Sequence, residues 1–148
     1  MRSVYRVGRL STADNRSMAK KSALEPDFVR VQLGYPTGVG LALSFDLGTP
    51  IVATSFAVTH VGAGDAGIDA DLYVRPLATV AHVTPVFAVG VFGKAAKDGT
   101  ASGVSMRTGI ELRRGETSSS VEVGLTKMQW GDTAMKAPFI KISFGFAL

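Results

Sequence analysis

The sequence contains no cysteine and only two histidines among its 148 residues. Without cysteine, a disulfide framework and any thiolate metal site are excluded. The histidines, His60 and His82, do not stand at a spacing typical of metal ligands. No glycine motif of the phosphate-binding kind follows a strand and opens a helix. We therefore expect neither a metal nor a cofactor.

Long apolar runs are also missing, since no stretch approaches the roughly 18 consecutive apolar residues that a membrane helix needs. Hydrophobic residues nevertheless make up 46% of the chain, and the mean hydropathy is +0.23. The apolar residues alternate with small or polar ones instead of forming blocks. Together with 17 glycines, which supply the positive φ angles of tight turns, this alternation favours an all-β fold.

The formal net charge of +4 is concentrated at the beginning of the chain. Residues 1–27 carry six basic against three acidic side chains: Arg2, Arg6, Arg9, Arg16, Lys20 and Lys21 against Asp14, Glu25 and Asp27. We expect a solvated basic arm here, either loose or with a short helix over Ser11–Glu25. Nucleic acid is not the favoured partner. Arginines occupy the first ten residues where a signal peptide would have its apolar core, so we expect no signal peptide within this sequence.

From Phe28 onward, large apolar residues recur at every second position, as they do in strands with one apolar face. Two of the segments are separated by the turn residues of Pro36–Gly38, and others by Gly48–Pro50 and Arg114–Glu116. We predict an eight-stranded antiparallel up-and-down barrel over residues 28–148, with longer loops at 62–66, 95–101 and 129–137. Its strands are Phe28–Tyr35, Val39–Leu47, Ile51–Val61, Gly67–Arg75, Val80–Lys94, Ser102–Arg113, Ser118–Met128 and Pro138–Leu148.

The two faces of these strands differ in charge. One row is apolar and predicted to face lipid: Val39, Leu41, Leu43, Phe45, Phe56, Phe87, Ile140, Ile142, Phe144, Phe146 and Leu148. The opposite rows mix Gly, Ala and Ser with acids and bases that we expect to pair in the lumen: Arg30, Asp46, Asp69, Asp71, Arg75, Arg107, Glu111, Glu122 and Lys141. The lumen of an eight-stranded barrel is just wide enough for side chains to fill it. A Lys or Arg at the bilayer midplane costs roughly 2–4 kcal/mol, which accounts for a row without charge.

The closing strand, with Ile140, Ile142, Phe144, Phe146 and Leu148 on one face, resembles the C-terminal strand of small bacterial outer-membrane β-barrel proteins. Leu148 stands where that family usually has Phe. The resemblance implies a transmembrane barrel in the bacterial outer membrane, with lipid as its partner. The predicted connections alternate in length: the second, fourth and sixth are short, and the third, fifth and seventh are longer. Because outer-membrane barrels have short periplasmic turns and longer extracellular loops, we expect both chain ends on the periplasmic side. The resemblance also implies a porin-like envelope protein without catalytic residues, with a structural, adhesive or surface-binding role exerted through the longer loops.

Two other interpretations are open. The chain could be a soluble β-barrel or sandwich subunit of a larger assembly, such as a virion or tail component, whose basic arm contacts a partner. Such a protein would be found in a virion or in the cytoplasm. Alternatively, His82 and Thr84 share a strand face and resemble weakly the His-x-Ser motif of outer-membrane lipid A deacylases. That resemblance would imply a lipid hydrolase centred on His82.

Overall fold

The computed structural model of the protein describes residues 26–60, 64–78 and 80–148. The regular elements of this part are eight strands: β1 (Phe28–Tyr35), β2 (Gly38–Thr49), β3 (Val52–His60), β4 (Ala66–Val74), β5 (Val83–Ala96), β6 (Gly99–Arg114), β7 (Thr117–Trp130) and β8 (Thr133–Ala147). The arm predicted for the first residues, up to position 25, lies outside the described part.

The described part of the chain has no helix that could span a membrane.

Each strand pairs antiparallel with the next in the chain, and β8 returns to pair with β1, so that the sheet is a closed barrel. In the closing pair, Phe28 lies opposite Ala147 and Tyr35 lies opposite Ile140. The predicted fold class is therefore confirmed. The sequence pattern also identified correctly that the last strand closes the barrel against the first.

The strands are staggered around the barrel. A path through directly paired residues starts at Arg30 and ends on β8 at Met135, five residues before Ile140, the last β8 residue paired with β1. If the β8–β1 register were extended to Met135, its partner would be ten residues beyond Arg30, so the path does not return to its starting level. A stagger of this kind makes the strands tilt, typically by about 35–45° from the barrel axis. The path is Arg30, Ala42, Ala57, Asp69, Phe92, Gly103, Met128 and Met135.

The barrel has two ends. We call the one with Phe28 and Ala147 the near end; it also carries the connections 50–51, 75–82 and 115–116. The far end carries the connections 36–37, 61–65, 97–98 and 131–132. Of the predicted loop 62–66, residues 62 and 63 lie outside the described part.

The prediction of longer loops at 95–101 and 129–137 is wrong. The strands β5 to β8 continue through these polar stretches to turns at 97–98 and 131–132. Backbone pairing needs no apolar side chains, and Gly99 and Gly131 supply the positive φ angles, 134° and 55°, at these tight turns. The longest connection is 75–82 at the near end, so the predicted alternation of loop length is also wrong.

The start of β5 differs from the prediction for a local reason. We expected the strand to begin at Val80, but it begins at Val83. The amides of Val80 and Ala81 both donate to the carbonyl of Leu77, at 3.1 and 3.0 Å. These bonds form a turn, which the apolar character of Val80 did not indicate.

Small residues on the inner face leave room for large side chains from neighbouring strands. Gly90 on β5 lies opposite Asp71 on β4. A Cβ atom at Gly90 would lie 2.0 Å from Asp71 Oδ1 and 2.9 Å from Arg107 Nη1. The inner face can hold this ion pair because residue 90 has no side chain.

We expect Gly90→Ala to destabilise the barrel by about 1–3 kcal/mol, because the added methyl group must displace a buried ion pair. The control is Gly93→Ala on the same strand, where an added Cβ would meet nothing closer than Ile68 Cγ1 at 4.0 Å. The free energy of unfolding, measured by urea titration of the refolded proteins, should be nearly unchanged in the control. Equal losses in the two variants would contradict the packing described here.

Candidate functional site

The barrel has a polar interior and an apolar exterior. Glu111, Glu122 and Lys141 are each only 1% exposed, whereas Leu41 is 63% exposed and Leu125 is 69% exposed. Buried charges are almost never left unpaired in proteins, because desolvating them is costly. The candidate site therefore consists of two surfaces, the charged lumen and the apolar outer face.

A first cluster of charges fills the lumen toward the near end. Arg30 contacts Glu111 at 2.5 Å, and Arg75 contacts the other oxygen of the same carboxylate at 3.2 Å. Arg75 also pairs with Asp46, which in turn accepts from Arg113 at 3.4 Å. Three guanidinium groups thus share two carboxylates from strands that are distant in the sequence.

A second cluster fills the middle of the lumen. Arg107 contacts Asp71 at 2.6 Å and Glu122 at 2.9 Å. Lys141 donates to Asp71 at 2.5 Å and to the Tyr73 hydroxyl at 3.2 Å. This cluster ties β4, β6, β7 and β8 together across the lumen.

Two serines and a glutamine extend the network. Ser143 accepts from Arg30 at 3.4 Å and lies 2.8 Å from the hydroxyl of Ser120. Ser120 donates to Glu122 at 3.2 Å, so the two clusters are connected by a hydroxyl bridge. Gln32 donates to Asp69 at 3.0 Å, so the remaining predicted lumen acid has an amide as its hydrogen-bond partner.

Buried aromatic rings lie at both ends of the charged region. Phe28 at the near end has the guanidinium groups of Arg30 and Arg113 over its ring, at 5.6 and 5.0 Å from the centroid. Toward the far end, Phe139 is 2% exposed and has Arg107 over its ring at 4.6 Å. Phe92 is also buried on that side. Cation–π contacts of this kind stabilise a desolvated charge without a counter-ion.

The lumen is closed. Between the two clusters, the cavity bordered by Arg30, Tyr73, Glu111 and Glu122 has a volume of only about 10 Å³. A cavity of that size holds roughly one water molecule. The arrangement therefore fills the barrel with paired side chains and leaves no continuous path for a solute between its described walls.

The outer face is an apolar belt that runs around all eight strands. In the described strands, the outward-facing Lys, Arg, Asp and Glu residues are limited to Arg114, Lys127 and Lys136, all within four residues of a strand end. Tyr35 is exposed on the outer face at the end of β1, whereas Trp130, at the end of β7, is on the inner row with Lys94 5.7 Å from its ring centroid. The charges of the outer face therefore lie only at the borders of the belt.

Most of the predicted lumen and lipid-facing residues lie on the face predicted for them. Of the nine predicted lumen charges, eight are buried and Asp46 is partly buried. Of the eleven residues predicted to face lipid, ten are exposed on the outer face, whereas Phe45 is half-buried against Phe56, with ring centroids 6.2 Å apart. An aromatic neighbour on the adjacent strand shelters Phe45, which an alternating pattern cannot reveal.

Gln32, Tyr73 and Arg113 also lie in the lumen, although they are not among the predicted lumen charges. All three stand at inward-facing positions of the predicted strands, so the alternation itself indicated their place. The buried aromatic residues Phe28, Phe92 and Phe139 lie on the same inner rows and were likewise not predicted to have a role.

The arrangement of His82 and Thr84 differs from the hydrolase interpretation. His82 precedes β5 and is exposed, while the side chain of Thr84 is buried. The Thr84 hydroxyl accepts from the amide of Leu77 at 3.3 Å and donates to the carbonyl of Pro85 at 3.2 Å. His82 lies one residue before β5, and its carbonyl accepts from the amide of Arg113 at 2.8 Å. The shared face of His82 and Thr84 stays a prediction.

Within the described residues, no group of three or more His, Asp or Glu side chains is arranged to hold a metal ion. No protein-family model, curated protein or solved structure matches the chain. The functional argument therefore depends on the lumen and the outer face alone.

We expect Lys141→Met to destabilise the barrel by roughly 3–5 kcal/mol, because it leaves Asp71 and Glu122 to share Arg107 in a buried site. The control is Lys136→Met on the same strand, where the side chain is exposed on the outer face and the change should stay within about 0.5 kcal/mol. Adding Asp71→Asn to Lys141→Met should recover part of the loss. Urea titration measures all three, and equal losses at positions 136 and 141 would contradict the assignment.

Proposed function

We propose that the protein is a membrane-spanning β-barrel of the bacterial outer-membrane type, with a structural and non-catalytic role in the cell envelope. The observation that carries this proposal is the uncharged apolar belt around a closed lumen of paired charges. Thirty-two large hydrophobic residues of the described part are exposed. Contiguous exposed apolar surface of this extent is rare on soluble monomers and marks contact with lipid or with other proteins.

The backbone also satisfies the condition for entering a bilayer. Every strand pairs on both sides along most of its length because the sheet is closed. In lipid, an unpaired backbone group costs several kcal/mol, and closed barrels avoid that cost. The strands contain 8 to 16 residues, whereas a tilted strand needs about 9–11 to cross. The longer strands are long enough to extend beyond the bilayer.

The filled lumen supports a structural role in preference to conduction. A pore needs a water-filled path, but here both charge clusters and the aromatic rings occupy the interior. Because the interior charges neutralise each other, the barrel can hold them away from water without an ion from solution. We therefore propose a rigid, non-conducting barrel.

Surface binding, if it accompanies this role, would use strand ends at the far end of the barrel. The stretches 95–101 and 129–137 are mostly strand, and the hairpins β5–β6 and β7–β8 end in tight turns. On β8, residues 133–139 extend beyond the last residue paired with β1. A partner would meet a fixed hairpin edge instead of mobile loops.

A soluble subunit of a larger assembly remains the competing proposal, because neighbouring proteins could cover the same belt. The membrane proposal and the assembly proposal differ in whether lipid or neighbouring protein covers the apolar outer face. A barrel that requires detergent or lipid to stay monomeric supports the membrane proposal, and one that forms defined particles in water without either supports the assembly.

The decisive variant is Val123→Arg, at the middle of the apolar segment of β7 between Val121 and Leu125. In lipid, the substitution should cost roughly 2–4 kcal/mol, because the charge lies at the bilayer midplane. The matched control is Gln129→Arg on the same strand and face, above the belt, which should have little effect. Flotation of the refolded proteins with phospholipid vesicles, together with gel mobility of unheated and heated samples, measures insertion and folding.

Wild-type protein should float with vesicles and migrate differently when unheated. If it stays in the aqueous fraction, or if Val123→Arg and Gln129→Arg are indistinguishable, the membrane proposal is wrong.

A further inference from the structure

Two lysines face each other on the outer surface near the far end. Lys127 on β7 lies directly opposite Lys136 on β8, and both are exposed. Among the described residues neither forms an ion pair with an acid, whereas Lys94 nearby pairs with Asp65 at 3.1 Å. Like charges directly opposite each other are destabilising in a sheet. The pair therefore forms a local positive charge that nothing in the described part neutralises.

The lysine pair marks the border of the apolar belt. On β7 the outward residue below Lys127 is Leu125, and on the neighbouring strand Val104 lies directly opposite Lys127. Above the pair, the outward residue of β7 is Gln129. This order, from apolar through cationic to polar, is the order in which a bilayer presents hydrocarbon, phosphate and water.

A groove begins beside this pair. It has a volume of about 380 Å³ and is bordered by Ser102, Lys127 and Gln129 at its polar end and by Val91 and Val104 at its apolar end. The groove therefore has one polar end and one apolar end. A groove that contacted only acyl chains would need no polar lining.

The groove continues down the outer face. A second depression of about 460 Å³ shares Val91 and Val104 and extends to Ala70 and Met106. One of its outward-facing lining residues is small, Ala70 on β4, which leaves space on the floor of the depression. The two depressions together form a trough with one cationic end.

We propose that this trough binds one anionic phospholipid, with an acyl chain along Val91, Val104 and Ala70. Its phosphate would lie on Lys127, which lines the polar end, and within reach of Lys136, which lies directly opposite Lys127 outside the groove. The inference rests on the proposed membrane location and adds a specific lipid site to it. The occupant is a lipid because the trough combines a cationic end with an apolar floor. One lysine near a membrane surface raises the affinity for anionic lipid about fivefold, relative to an uncharged residue at the same place.

The test is native mass spectrometry of the refolded barrel, released from detergent that contains equal amounts of phosphatidylglycerol and phosphatidylcholine. Wild-type protein should retain phosphatidylglycerol preferentially. Lys127→Gln should lower that preference about fivefold. Lys97→Gln removes the same charge from the turn between β5 and β6 at the same end, and should leave the preference unchanged.

A second pair of variants tests the apolar part of the trough. Ala70→Leu fills the floor without touching the lysines and should lower the retention of both lipids. Ala66→Leu places the same side chain at an exposed, outward position at the end of the same strand, and should leave retention as in the wild type.

Two outcomes overturn the lipid site: equal retention of the two lipids by wild-type protein, or equal losses in Lys127→Gln and Lys97→Gln. Vesicle flotation of the same preparations separates this failure from failure of the membrane proposal. A wild-type barrel that floats but shows no lipid preference refutes the lipid site alone. One that does not float refutes the membrane proposal, and the lipid site with it.

Discussion

The structure depends on the pairing of charges inside a barrel whose middle is filled by side chains. Among the described residues, five basic and four acidic side chains form the ion pairs of the two lumen clusters: Arg30, Arg75, Arg107, Arg113 and Lys141 with Asp46, Asp71, Glu111 and Glu122. A fifth acid, Asp69, is also buried and accepts from Gln32. Each ion would be costly to bury alone. Their mutual pairing, with help from serine hydroxyls and aromatic rings, makes a polar interior compatible with a closed sheet.

That interior dictates the rest of the sheet. Large charged side chains fit only where the facing residues are small, which explains the glycines, alanines and serines of the inner rows. Because side chains alternate along a strand, assigning the polar residues to the inside leaves the apolar residues outside. The outer face is therefore apolar all around the barrel, and the few outward charges are confined to strand ends. The trough beside Lys127 crosses the border between the apolar belt and the polar strand ends.

Much of this arrangement could be predicted from the sequence, because a period of two is a strong signal when it persists over 120 residues. The pattern identified the eight strands, their closure and the inner position of residues such as Arg107 and Lys141. It failed where local hydrogen bonds form a turn, as at Val80, and where strand pairing continues beyond the apolar pattern, as at 95–101. The partners of each charge depend on the stagger between distant strands, which the pattern of a single strand does not contain.

We propose that the outer face lies in hydrocarbon, and a depth profile of that face tests this most directly. The chain has no cysteine, so single nitroxide labels can be attached on the outward row of β7 through Ser119→Cys, Val121→Cys, Val123→Cys, Leu125→Cys and Lys127→Cys. In vesicles, the ratio of collisions with oxygen to collisions with a water-soluble nickel complex should rise to a maximum at position 123 and fall toward 119 and 127. A flat profile, with position 123 as accessible to nickel as position 127, would contradict the account.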